Sequence, residues 1–153
     1  MPSLEDVYLK YGFASEAAQL LETQLGTILF KSGAVAQNLF EKQDQDAVTT
    51  LYRSINRKTL GQLLKGMKNT SESVEHLEGL LSRALKERNR LAHSFYRQHN
   101  FRRNSDDGCQ LMLNDLDQIH EVLLEAYKAV MRLSGIDLDK MELKGLPTGH
   151  VPI

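Results

Sequence analysis

Residues 74–95 read VEHLEGLLSRALKERNRLAHSF. Taken alternately three and four apart, Val74, Leu77, Leu81, Ala84, Arg88, Leu91 and Phe95 fall on one line, and six of these seven are apolar. That period marks the inward face of a long α-helix. The exception, Arg88, carries a guanidinium that cannot shed its charge and is costly to bury without partners. An arginine on a core stripe, with Asn89 beside it and His93 further along, makes this helix the chain's candidate for chemistry.

The same reading extends in both directions. Asn69-Thr70-Ser71-Glu72-Ser73 is rich in capping residues, so this helix is expected from about Ser71 to about Asn100. A turn at 104–108 separates it from a last helix with its own stripe of Met112, Leu116, Ile119, Leu123, Ala126, Val130 and Leu133. Ser134-Gly135 is a natural stop. Upstream, Ser15 is the expected cap of a first long helix whose inner face is Ala18, Leu21, Leu25, Ile28, Val35 and Leu39, with a short lead-in helix over 4–13. Within it, Gly26 and Gly33 either weaken the helix or admit a close neighbour. A polar connection at 41–46, a shorter helix over 46–55 and a capping box at Thr59-Leu60-Gly61-Gln62 restarting a helix to about Lys68 fill the interval.

The three prolines lie near the ends, and no alternating strand pattern bounded by turns occurs. The chain reads as all-α: an up-and-down four-helix bundle with short extra helices. Residues 1–135 form the helical domain and 136–153 an irregular C-terminal tail. At 153 residues, 41% hydrophobic and 25% charged, this is ordinary for one globular domain. One cysteine, Cys109, permits no internal disulfide. The first residues lack the pattern of a secretory signal, and no apolar run approaches the roughly 20 residues that span a bilayer, so a cytoplasmic location without membrane contact is expected.

The net charge of −1 hides an asymmetry. Between Arg83 and Arg103 seven basic residues face one acid, Glu87, a local +6 against −7 in the remainder. Such a stripe steers phosphate-bearing ligands to one place, or else is a solvated face balanced by the acidic body. On a helix Asn89 and His93 share a face, while Arg88 and His93 lie about 140° apart around the axis. A cation, an imidazole and an amide are the parts that metal-free RNA cleavage needs. Imidazole exchanges protons near neutral pH, and a desolvated arginine stabilises the charge that gathers on the phosphorus centre. Phe95, Tyr96 and Phe101, interleaved with Arg97, Arg102 and Arg103, offer rings for stacking bases.

The string Glu87-Arg88-Asn89-Arg90-Leu91-Ala92-His93-Ser94-Phe95-Tyr96 resembles the Arg-x(4–6)-His core of the HEPN superfamily, in its bacterial defence and toxin-like branch. Thr59-Leu60-Gly61 and the approach over Leu80–Leu85 are similar to such proteins as well, and the likeness spans about residues 15–134. The resemblance implies a metal-independent endoribonuclease without cofactor, whose composite site forms where two copies pair their motif helices. It implies His93 as general acid/base, Arg88 as phosphate ligand and Asn89 as polar helper. Arg90, Arg97, Arg102, Arg103 and Tyr96 are the expected RNA contacts, and a cognate antitoxin or regulator is a further expected partner. One position departs: toxin-type members carry His-x-Tyr, and Phe95 stands where that tyrosine would be.

Other readings stay open. Some HEPN branches are non-catalytic modules that bind RNA, nucleotide or a partner protein, and an antitoxin or immunity protein is a third class. Arg88 is equally open to an ion pair with Glu16, Glu22, Asp115 or Asp117. His76, His99, His120 and His150 read as solvated. Asp117-x-x-His120 lacks the second half of a di-metal site, so no metal is expected.

Overall fold

The computed structural model describes residues 1–67, 77–142 and 144–149, and every regular element among them is helical. The expected start near Ser71, together with Val74, His76 and His150, lies outside the described residues. The chain opens with α1, Leu4–Ala36, one unbroken helix rather than a lead-in followed by a restart at Ser15. Its true cap is Ser3. The Ser3 hydroxyl accepts the Asp6 backbone N–H, while the Asp6 carboxylate accepts the Ser3 N–H, a reciprocal capping box. An acceptor that early, with no proline to interrupt it, lets the helix run through Ser15.

α1 buries Val7, Ala14, Ala17, Ala18, Leu21, Leu25 and Ile28, whereas Val35 is exposed. The helix stops before Leu39. Asn38 adopts a left-handed conformation (φ 53°) that turns the chain into the short α2, Leu39–Lys42. α3, Gln45–Asn56, is capped by Asp44, and α4, Leu60–Met67, begins at the expected Thr59/Gln62 capping box, both hydrogen bonds of which form. Gly26 and Gly33 serve close approach. A Cβ on either would lie 3.2 Å from the Ile55 or Leu51 side chain of α3.

α5, Glu78–His93, carries the motif. α7, Asp106–Leu133, is capped by Ser105 and buries Met112, Leu116, Ile119, Leu123, Ala126 and Val130 completely. Each fully buried leucine of that stripe contributes about 1.5–3 kcal/mol. At its end the N–H groups of Gly135 and Ile136 return to the carbonyls of Arg132 and Met131, which closes the helix. Asp139 then pairs with Lys128 and Arg132 and holds the start of the tail against α7.

Three long helices form the core. Lys10 meets Asp117 and Gln24 meets Ser134, so α1 and α7 run in the same direction. Glu22 meets Arg88 and Tyr11 meets Leu91, so α5 runs opposite to α1. The short α3 and α4 cover the far half of α1. Among the described residues no helix is long and apolar enough to cross a membrane.

Candidate functional site

The motif helix breaks where the sequence pattern promised continuity. α5 ends at His93, Ser94 takes φ −141° and ψ −5°, and α6 resumes over Phe95–His99. A helix end leaves carbonyls without intrahelical donors. Here the Ser94 hydroxyl donates to the Arg90 carbonyl (3.2 Å) and the Tyr11 phenol to the Leu91 carbonyl (2.9 Å). The break is therefore satisfied from two sides, one of them α1. Phe95 remains in the core at 1% exposure, stacked among Tyr11, Tyr96 and His99. It is unavailable to a base.

Within α5 the candidate residues separate onto three surfaces. Asn89 and His93 face solvent, together with Ser82, Lys86 and Ala92. Arg88 lies on the flank toward α1, where its Nε donates to Glu22 Oε1 at 2.8 Å and its Nη1 to Asn89 Oδ1 at 3.3 Å. Of the four carboxylates open to Arg88, the one used is Glu22. The His93 side chain makes no hydrogen bond to another described residue. Arg88 and His93 thus share no hydrogen bond within one chain; around the helix axis Asn89 falls between them.

Arg90 occupies the opposite flank, and its guanidinium is held by acids. Nη1 and Nη2 make a bidentate pair with Asp115 (2.7 and 2.6 Å), while Nε and Nη2 reach Glu87 Oε2. Asp115 Oδ2 also lies 2.7 Å from His99 Nε2. Arg102 approaches the other ring nitrogen of His99 at 3.1 Å. Because a guanidinium only donates, Nδ1 is the acceptor there and the proton sits on Nε2, directed at Asp115. His99 is 5% exposed and so is not the solvated histidine its sequence context implied. The bond from Arg90 holds the Asp115 carboxyl below the usual carboxylate range, with His99 assisting and burial opposing.

No family model, curated protein or solved structure matches this chain. The site therefore rests on its own geometry. Of the other expected RNA contacts, Arg97 is exposed, Arg102 leans on His99, and Arg103 donates to the Tyr8 hydroxyl at 2.7 Å. Tyr96 is half-buried against Tyr8 and Tyr11. Burial raises its phenol above the ordinary value, with Tyr11 and Tyr8 adding to the effect. His120 is partly buried beside Lys10, and burial followed by that charge lowers its pKa. Cys109 is buried, with its thiol 3.7 Å from the Arg103 carbonyl. Among the described residues no three potential ligands converge as a metal site would require.

The Arg90–Asp115–His99 cluster joins α5, α6 and α7, and its contribution is measurable. Asp115→Asn would leave Arg90 facing an amide and remove an acceptor from a buried imidazole. The expected cost is about 2 kcal/mol, the low side for charged hydrogen bonds because the pair is partly exposed. The folded carboxyl titrates below its unfolded value, so the unfolded chain binds more protons as pH falls through that interval. The contribution is complete above the ordinary carboxylate range and is lost below it. Urea unfolding should therefore show wild type and variant far apart at pH 7 and converging in acid; a gap independent of pH would refute the assignment.

Proposed function

We propose that this chain is a metal-independent endoribonuclease of the HEPN type, with a composite site built from the exposed faces of α5 in two copies. What carries the reading is that Asn89 and His93 share the open face of one helix, while Arg88 is oriented at its edge by Glu22 and Asn89. Lys86 adds an exposed positive charge to the same helix, and Arg97 a further exposed one on α6. In this reading α3 and α4 together take the place of one long helix of the family's four-helix bundle, and the setting is a bacterial stress or phage-defence system with a cognate regulator.

The chemistry requires two proton transfers and charge stabilisation. One His93 imidazole takes the proton of a ribose 2′-hydroxyl, whose oxygen then forms a bond to the adjacent phosphorus. The bond from phosphorus to the 5′ oxygen breaks, and that oxygen takes a proton from the imidazolium of the second copy. Arg88 donates N–H bonds to the phosphoryl oxygens as charge accumulates there. The products are a 2′,3′-cyclic phosphate and a 5′-hydroxyl.

The Glu22 pair also favours a second reading. An arginine already neutralised by a carboxylate is a weaker phosphate ligand, which suits a helical module that binds RNA without cutting it. Incubation of single-stranded RNA with the purified chain in EDTA separates the two. New ends of the stated chemistry support the nuclease, and RNA retained intact in a complex supports the module.

A further inference from the structure

We propose that the 3-10 turn Asn100–Asn104 is a base-stacking site for single-stranded RNA, with Phe101 as the platform and Arg97, Arg102 and Arg103 as the cations that hold the flanking phosphates. Phe101 is 78% exposed, the most exposed phenylalanine or tyrosine among the described residues. A lone exposed apolar side chain is ordinary. This one is held outward by a turn with little freedom. Asn100, immediately before it, takes φ 50° and ψ −120°, a backbone conformation that side-chain-bearing residues rarely adopt. The rest of the turn is pinned by Arg102 to His99, by Arg103 to Tyr8, and by the Ser105 N–H to the Arg102 carbonyl.

The charges that neighbour Phe101 in the chain differ in kind from those on α5. Arg88 and Arg90 are neutralised by carboxylates. Arg102 and Arg103 are anchored by neutral acceptors, an imidazole nitrogen and a phenol oxygen, so they are positioned without losing their charge. Arg97 is exposed and has no ion pair among the described residues. The acids that follow, Asp106 and Asp107, pair with none of these arginines; they occupy the first turn of α7, where the helix dipole favours them.

An exposed ring on a turn that also carries uncompensated arginines fits a strand whose bases are free to leave their own stack. A duplex presents phosphates but no free base face, and an inorganic polyanion has no ring at all. The proposal takes its ligand from the RNA reading above but does not depend on cleavage, so a chain that binds and never cuts would still possess this site.

The chain contains no tryptophan, so Phe101→Trp installs a single reporter. The experiment titrates that variant, in a His93→Ala background that prevents cutting, with a single-stranded oligoribonucleotide, the same sequence as a duplex, and inorganic polyphosphate. The expected result is saturable quenching by the single strand alone. Labelled single strand should bind Phe101→Ala about ten-fold more weakly than the parent, with Phe101→Trp retaining affinity. Arg102→Gln and Arg103→Gln should each flatten the salt dependence. Unchanged emission, or equal affinity of Phe101→Ala and parent, overturns the stacking site while leaving RNA binding in place. Binding that needs Phe101 without any cleavage by wild type sustains the site and defeats the nuclease. No RNA binding by any form defeats both.

Discussion

Substituting alanine for His93 is expected to abolish most RNA cleavage, by about 10²–10⁴-fold, the range that a positioned proton donor and acceptor supplies. The side chain is exposed and bonded to no other described residue, so the variant should fold as the parent does, with unchanged thermal unfolding. Arg88→Ala should lower the rate comparably, yet it also removes the partner of a partly buried Glu22 and so carries a stability cost. Glu22→Gln separates those effects. Its amide oxygen keeps an acceptor for Arg88 Nε while the neutralising charge is gone. A positioning role for Glu22 predicts a smaller loss of rate than Arg88→Ala, with the same cyclic-phosphate product. Activity in His93→Ala equal to wild type would remove that residue from the site.

The second large effect concerns the turn that carries Phe101. Gly108, in the first turn of α7, lies flat against the backbone of Arg102. A Cβ there would meet the Arg102 carbonyl oxygen in a clash, with its carbonyl carbon at 2.6 Å and its Cα at 2.7 Å. No rotamer relieves an overlap with backbone, so Gly108→Ala must separate the turn from α7. That separation strains the contacts of Arg102 with His99 and of Cys109 with the Arg103 carbonyl. The expected loss is about 3 kcal/mol or more, the upper part of what single substitutions cost, read as a fall in the urea midpoint. Gly79→Ala, at an exposed helical glycine whose added Cβ meets nothing, should be neutral or slightly stabilising and serves as the control. Equal midpoints for Gly108→Ala and wild type would contradict this packing.

The sequence was most legible where one local rule had no competitor. The α7 stripe, its stop at Ser134-Gly135 and the Thr59/Gln62 capping box all follow from contacts within a few residues, and all are present in the structure. Ser15 misled because a good capping side chain does not start a helix already propagating from Ser3. The break after His93 was hidden for the opposite reason. Half of its satisfaction comes from Tyr11, 80 positions away, which no spacing rule can reach.

The site divides in the same way. Asn89 and His93 on one face follow from helical geometry alone. The acid that meets Arg88 was among four open choices, and Asp115, another of the four, proved to be the partner of Arg90 two residues on. A period of 3.6 places a side chain on a flank but does not say which neighbouring helix lies there. The buried role of His99 needed that same tertiary information, although Arg102 three residues later was a local sign of it.

If His93 drives attack by a ribose 2′-oxygen, the 2′-hydroxyl at the cut is indispensable. The decisive measurement uses a matched pair of RNA oligonucleotides, identical except for a single 2′-deoxy substitution at the mapped cleavage position, incubated with the wild-type chain in EDTA. The all-ribose strand should be cut to a 2′,3′-cyclic phosphate and a 5′-hydroxyl, with no cutting at the deoxy position. Equal cleavage of both strands, or cleavage of neither, would contradict that role of His93.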